Sequence, residues 1–319
     1  MDTKTRLVAG IINYHSHDIV PACVDALRRS SLPPARILIA DNASDPESAA
    51  ALVELVGEEN LLDSAENRGY AGGANAILRA TPEARFVLLL NPDVVVGERF
   101  CEELVRVAEA EPRAAALQGK LVRPDGDILD STGVEISRSG RNRDRGAGEP
   151  DDAGDTIPQE VFGATGAAML LRREALDDLR LNDEWFDEDF LVYHEDNDLC
   201  WRARLLGWTV LYVPTARAIH GRGYRAGERT RASRFVRHHA FKNHYLKLVK
   251  NLLPRQFCAY FFHLAGWEVV RLGYAVVREP FLWRAWRDAL GLLPRAWRKR
   301  RQIQRRRRVK HAEIDRWFR

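Results

Sequence analysis

The sequence predicts an α/β protein, with a mostly parallel sheet flanked by helices and a basic helical extension at the C-terminal side. Three observations carry this reading. Short apolar runs of buried-strand length alternate with segments of helical spacing over the first two-thirds of the chain. Several of these runs end in a polar cluster, and ligands bind at the carboxyl edge of open α/β sheets. From Arg231 onward the pattern is helical, with tryptophans and arginines interleaved.

Leu7–Ile12 is the first strand, and His17–Arg29 follows as a helix with Val20, Val24 and Leu27 on one face. Arg36–Asp41 is a second strand, and Pro46 suits the first turn of a helix reaching Val56. A glycine-rich turn from Asn67 leads into a helix near Ala74–Arg79. Arg85–Leu90 is the most apolar strand and ends at Asn91-Pro92-Asp93. Strand–helix–strand repetition of this kind predicts a doubly wound parallel layer. Arg138–Asp155, rich in glycine and charge, reads as a mobile loop, either a lid or an insertion. Gly163–Leu171 is strand-like, His194–Asp198 starts an acidic helix, and Thr209–Val213 leads to His220.

The 319 residues and 36.3 kDa suit two domains, placed at 1–230 and 231–319. With 45% hydrophobic and 29% charged residues, the composition excludes intrinsic disorder. Four widely spaced cysteines exclude a disulfide scaffold or zinc ribbon and suit a reducing cytosol. No apolar run reaches the length of a membrane span, and Met1–Arg6 lacks the character of a signal peptide. Charge is unevenly shared. Residues 231–319 carry 23 Lys and Arg against 5 Asp and Glu, whereas residues 1–230 hold 26 basic and 40 acidic ones. An acidic body and a basic tail read as separate electrostatic units.

Two constellations point to chemistry. Pro92 forces a turn after the most buried strand and turns Asp93 to the sheet edge. A carboxylate there can ligate a hard divalent cation that also takes diphosphate oxygens, or serve simply as a turn aspartate. Acids crowd residues 187–198, with Glu195, Asp196 and Asp198 at a helix start where the dipole favours anions. Asp198 and Arg202 are also spaced for an i,i+4 pair. Such crowding calls for a compensating role, and a general base is one.

Seven segments in order, Ile11–Tyr14, Ala40–Ser44, Asn67–Asn75, Leu90–Val94, Gly163–Gly166, His194–Leu199 and Ala218–His220, resemble a family 2 glycosyltransferase of the GT-A fold, in the bacterial rhamnosyltransferase-like branch. The resemblance spans residues 7–225 and implies inverting transfer from a nucleotide-diphosphate sugar to a lipid-linked or cell-envelope polysaccharide acceptor. It implies that Asn13, Asp41, Asn42, Asn67, Gly69, Asn75, Asn91 and Asp93 hold the nucleotide and diphosphate, with Asp41 at the base. A carboxylate accepts the N3–H of uracil or thymine, so a dTDP- or UDP-sugar is expected, dTDP-rhamnose by association with the branch. Asn91 stands where the family's DxD metal motif has its first aspartate, leaving Asp93 as the main carboxylate for Mg2+ or Mn2+, with His220 completing the shell. Asp196 matches the catalytic base and Glu195 is a substitute. Gly163, Thr165 and Gly166 resemble the sugar-pocket lining, with tight strand packing as the other reading. Trp201 and Arg225 are stacking and diphosphate candidates, with core packing and solvated charge as their other readings.

The tail lies outside that resemblance. Tryptophans at 267, 283, 286, 297 and 317 alternate with arginines, and Arg298–Arg301 and Arg305–Arg308 form basic clusters. This mix suits helices lying on an anionic membrane surface, hence a cytoplasmic protein peripheral to the inner face of the membrane. The other reading is packing against the catalytic domain or a second copy in a homo-oligomer. A sugar-1-phosphate nucleotidyltransferase should carry a basic glycine-rich loop where Asn13–His17 stands. Nucleic-acid binding through Arg295–Arg308 is disfavoured by the acidic body. Asn67–Gly73 has the wrong glycine spacing for a Rossmann dehydrogenase.

Overall fold

The computed structural model describes residues 7–151, 154, 156–221 and 233–319. Buried β1 (Leu7–Asn13) leads to α1 (Val20–Arg28), β2 (Arg36–Asn42) and α2 (Pro46–Val56). Asp45 caps α2 by accepting the Glu47 and Ser48 amides, with Pro46 in the first turn. Then come β3 (Leu61–Ser64), α3 (Gly69–Ala80), β4 (Phe86–Leu90), β5 (Val94–Val96), α4 (Phe100–Ala110) and β6 (Ala114–Val122). Short strands β7 (Leu129–Ser131), β8 (Val134–Ile136), β9 (Asn142–Asp144) and β10 (Gln159–Glu160) precede β11 (Ala168–Arg172), α5 (Arg173–Leu179), α6 (Glu195–Leu205) and the long β12 (Thr209–His220). Helices α7 (Arg234–Asn251), α8 (Pro254–Ala259), α9 (Phe261–Arg278), α10 (Leu282–Arg306) and α11 (His311–Asp315) complete the chain.

The central sheet runs β10-β12-β6-β11-β4-β1-β2-β3. Strands β3, β2, β1 and β4 are parallel, as strand–helix alternation predicts. β11 enters antiparallel between β4 and β6. Among the described residues no helix stands between β6 and β11, and a parallel neighbour would have needed such a crossover. Helices α1, α2 and α4 cover one face of the sheet, and α3, α5 and α6 the other. β12 runs parallel to β6, so β1, β2, β4 and β12 all end at one edge.

Three sequence expectations need correction. Asn142–Asp144, inside the segment read as a mobile loop, is a strand paired with β8, because alternate residues there bond Val134–Ile136. Gly163–Ala167 is not strand; only Ala168–Arg172 pairs with β4 and β6. The helical tail does not stand apart from the acidic body. α7 buries Lys247 and Lys250 beneath the catalytic layer, α10 buries Lys299, and Phe318 bridges to Ile136.

The tail's aromatics and arginines divide accordingly. Trp317 is half-buried between Arg204 and Arg316, Trp286 meets the Tyr245 ring, and Trp267 lies beneath Arg141. Trp283 and Trp297 are more than half exposed. Arg300 donates to the Val249 and Leu252 carbonyls, and Arg306 and Arg308 bond Asp178. Much of the expected basic cluster is therefore committed within the molecule.

Candidate active site

The sheet edge opens into a cavity of about 610 Å³. Asn91 and Asp93 after β4, Thr165–Ala167 before β11, the start of α6, His220 at the end of β12, and Asn142–Asp144 of β9 line it. Residues far apart in the chain meet here because three strand ends and one helix start share this edge.

Asp93 sits in the turn after Pro92, where the Val94 amide donates to the Asn91 carbonyl. β5 then pairs antiparallel with the end of β12, setting Val94 opposite His220. His220 Nε2 lies 3.4 Å from Asp93 Oδ1, and Nδ1 lies 2.7 Å from Asp130 Oδ2 on β7. Burial opposes charge on the imidazole, but its hydrogen bonds to Asp130 and Asp93 hold the pKa at about 9 without a cation. A carboxylate that fixes one ring nitrogen and aims the other is the usual outer partner of a metal-binding histidine. Among the described residues no three His, Cys, Asp or Glu side chains form a cage. The donor set fits a divalent cation held by one carboxylate and one imidazole, with remaining positions filled by substrate oxygens. Asp130 had no sequence signal; only the β6–β7 pairing brings it to His220.

Glu195 and Asp196 begin α6 after a strained approach, with Leu191, Tyr193 and His194 all at positive φ. Asn243 of α7 holds that segment, donating to the carbonyls of Phe190, Val192 and Tyr193 at 2.8 Å each. Asp196 Oδ2 accepts the Gly166 amide at 2.9 Å, and Oδ1 accepts the Asn197 amide. Burial raises the Asp196 pKa, while these amides pull the other way. Glu195 is more deeply buried, its Oε2 has no partner among the described residues, and burial with Asp196 alongside raises its pKa well above normal. Asp196 is thus the carboxylate that ionises first. The remaining acids of the crowded run are paired. Asp187 meets Lys250 and Lys299, Glu188 meets Arg68 and Arg79, Asp189 meets Arg295 and Lys299, and Asp198 meets Arg202 and Lys250. Crowding is therefore mostly relieved by cations. Only Glu195 and Asp196 lack a salt bridge among the described residues.

The nucleotide candidates divide. Asn13 donates to Asp41 Oδ1 at 2.7 Å, and Ser44 donates to the same oxygen at 2.7 Å. Asp41 Oδ2 and Asn13 Oδ1 stay buried without partners among the described residues, a pair of acceptors suited to an N–H donor. Asn42 instead accepts the Arg68 amide and donates to the Gly69 carbonyl, and Asn67 accepts the Gly69 amide. Gly69, at φ +64°, is pressed on the Leu191 carbonyl, 2.2 Å from where a Cβ would sit. That close approach of protein backbone requires a glycine there. Asn75 is fully buried, accepting the Trp185 and Phe186 amides and donating to the Phe186 carbonyl and Glu188. It clamps the acidic segment.

Among the pocket candidates, Thr165 and Gly166 line the cavity. Trp201 does not: it is wholly buried, its ring against Phe162 and Phe318. Gly163 packs on Cys200, so tight packing holds at that position. Arg225 lies outside the described residues. Tyr70 lines the cavity and donates to the Gly166 carbonyl at 2.7 Å. It stood in a segment read for its glycines.

Among solved structures, GalNAc-T7 with UDP, GalNAc and Mn2+ matches with a TM-score of 0.60 at 13% identity, covering 78% of this chain and 48% of that one. The mannosyltransferase PcManGT of Pyrobaculum calidifontis with GDP-Man and Mn2+ gives 0.54 at 16% identity, over 91% and 75%. These likenesses agree with the GT-A fold. By sequence, the N-acetylglucosaminyl-diphospho-decaprenol L-rhamnosyltransferase of Mycobacterium tuberculosis is 31% identical over 228 residues, 65% of this chain and 72% of that protein. The low-salt glycan biosynthesis hexosyltransferase Agl10 of Haloferax volcanii is 23% identical over 282 residues, 82% and 83% of the two chains. The model of glycosyl transferase family 2 matches residues 9–180, more than half of the chain, and the chain belongs to that family.

Proposed function

We propose that this glycosyltransferase moves a sugar, rhamnose as the first candidate, from a dTDP- or UDP-sugar to a lipid-linked acceptor, with inversion at the anomeric carbon. The observation that carries the reading is Asp196, a cavity carboxylate without a cation partner among the described residues, held by the Gly166 and Asn197 amides near Asp93 and His220. Asp196 takes the proton from the acceptor hydroxyl as that oxygen attacks the anomeric carbon, and no second carboxylate nucleophile is required. Asp93 and His220 would hold Mg2+ or Mn2+, which when bound supplies charge stabilisation for the leaving diphosphate. Asp41 and Asn13 present acceptors to the base, and Asp130 fixes the His220 ring. The rhamnosyl and diphospho-lipid specificities are drawn from the name of the Mycobacterium tuberculosis relative.

We place the protein on the inner face of the membrane. No described helix is long and apolar enough to cross a bilayer. α9 nonetheless exposes Phe262, Val269, Val270, Val276 and Val277, with Arg278 exposed at its end and Arg284, Arg298 and Arg301 exposed on α10. Apolar side chains beside arginines suit an anionic leaflet.

The test is sugar transfer and nucleoside diphosphate release across a panel of nucleotide sugars, with Mn2+, Mg2+ or EDTA. Asp196→Asn should lower turnover by about 10²–10⁴-fold with donor affinity little changed. Wild-type turnover in that variant would overturn the base assignment, and full activity of metal-free protein in EDTA would overturn the metal.

A further inference from the structure

Beside the first cavity lies a second, of about 450 Å³. Asn142, His194 and Ala240 line both, so the two spaces adjoin at the start of α6. Their chemistry differs. The first presents Asp93, Asp144, Glu195 and Asp196 with Arg143 and His220, whereas the second is lined by Arg141, Arg271, His194, His244 and apolar groups, with no carboxylate among its described lining residues. Burial lowers the pKa of both imidazoles well below the usual value, and Glu268 lies 3.3 Å from Arg271 and 3.4 Å from His244, so Arg141 is the lining cation without a salt bridge among the described residues.

The arginines differ in their commitments. Arg271 donates to the Phe241 carbonyl at 2.8 Å, meets Glu268 at 3.3 Å and stacks on Phe241 and Tyr245. Arg141 lies with its guanidinium 4.1 Å from the Trp267 ring centre and forms no salt bridge among the described residues. Stacking fixes its plane and leaves its N–H edges available, the arrangement that grips phosphate oxygens.

One wall is a face of α9: Trp267, Val270, Arg271 and Tyr274, at helical spacing. From Val270, 61% exposed, the apolar surface continues to Val277 at 76%, beside Val269 at 73% and Phe262 at 85%. A polar cavity wall thus runs into an uncovered apolar helix face.

We propose that the second cavity holds the phosphate group of a phosphate-linked lipid acceptor: Arg141 and Arg271 take the phosphate oxygens, the sugar end passes His194 to Asp196, and the hydrocarbon chain leaves along α9. This rests on the lipid-linked acceptor proposed above. It assigns Arg141 and Trp267 to the acceptor and α9 to the lipid.

The test uses farnesyl diphosphate as probe, titrated into the full chain in EDTA by calorimetry, with farnesol, inorganic pyrophosphate and UDP alongside. Farnesyl diphosphate should bind more tightly than either fragment. Arg141→Ala should weaken it at least about ten-fold, as loss of a charge-assisted phosphate contact does. Val270→Glu, at an exposed position that does not threaten folding, should weaken it similarly. UDP binding should be unchanged in both. Equal affinity in wild type and both variants, or no binding by wild type, overturns the proposal, as does pyrophosphate binding as tightly as the prenyl compound. Release of nucleoside diphosphate from the donor panel tests the glycosyltransferase reading separately. Intact donor hydrolysis without prenyl diphosphate binding refutes the cavity assignment alone, and the reverse refutes the donor reading alone.

Discussion

Burial raises the pKa of both adjacent carboxylates at the start of α6, Glu195 well above the usual range, but their surroundings differ. Glu195 Oε2 is buried without a hydrogen-bond partner among the described residues, whereas Asp196 receives two backbone amides and lines the cavity. Because burial holds the Glu195 pKa well above the usual carboxylate value, Glu195→Gln should change turnover only a few-fold, against about 10²–10⁴-fold for Asp196→Asn. The two measured together separate base from neighbour. The Asp196 pKa is raised by burial, so kcat/KM should fall as pH drops through a value above the ~3.9 of a free aspartate. An acid limb at or below that value would contradict a buried base. Asp130 acts through His220. Asp130→Asn should raise the metal concentration needed for half-maximal activity about 10–100-fold, with near-recovery at saturating metal. A titration with Mn2+ checks this.

At the scale of elements, α7 and α10 carry lysines into the catalytic layer. Lys250 bridges Asp187 and Asp198 with Arg202 and Asn251 alongside, and Lys299 joins Glu184, Asp187 and Asp189. Removing one member leaves a buried charge uncompensated, so Lys250→Met should cost about 3–5 kcal/mol, read by urea unfolding. Burial works against the Asp187 charge, but Lys250 and Lys299 outweigh it and hold its pKa well below the usual carboxylate range. A depressed carboxylate contributes stability that is present above the unfolded value near ~4 and lost as pH falls through the folded one. Acid titration below about pH 4 should therefore loosen α7 and α10 in the wild type, and Asp187→Asn should flatten that dependence. The crowding of acids at 187–198 and the Asp198–Arg202 pair were legible in sequence; the lysine partners were not. They sit more than 50 residues away, and nothing in local spacing names them.

For the whole molecule, the charge asymmetry is largely an internal complementarity. An acidic body and a basic tail meet in ion pairs through Lys250, Lys299, Arg306 and Arg308, and what faces outward is a smaller set of arginines with an apolar α9 face. Cutting the chain before α7 would strip Asp198 of Lys250 and Asn251 and release the Asn243 clamp, so a truncated catalytic layer should fail to fold. Membrane binding is better tested with Val269→Glu and Val276→Glu together, both at exposed positions. The intact protein should sediment with anionic liposomes at low salt and be partly released at high salt, and the double variant should lose most of this binding. Equal sedimentation of both proteins would place the contact elsewhere.

By itself the sequence determined the parallel strand–helix core and the sheet edge where polar clusters gather, and it singled out Asp93, His220 and Asp196, which the fold brings to one cavity. Periodicity, turn residues and motif order are local properties, and these features are written locally. Tertiary structure alone decided that β11 is antiparallel, that Asn42, Asn67 and Asn75 bond backbone groups, and that Trp201 belongs to the core. It also decided that Asp130 holds His220 and that the basic tail is an inner counter-charge to the acidic segment. Hydrogen bonds and buried ion pairs between distant segments leave no spacing to read, because a side chain's partner is set by which elements the packed sheet and helices bring within reach.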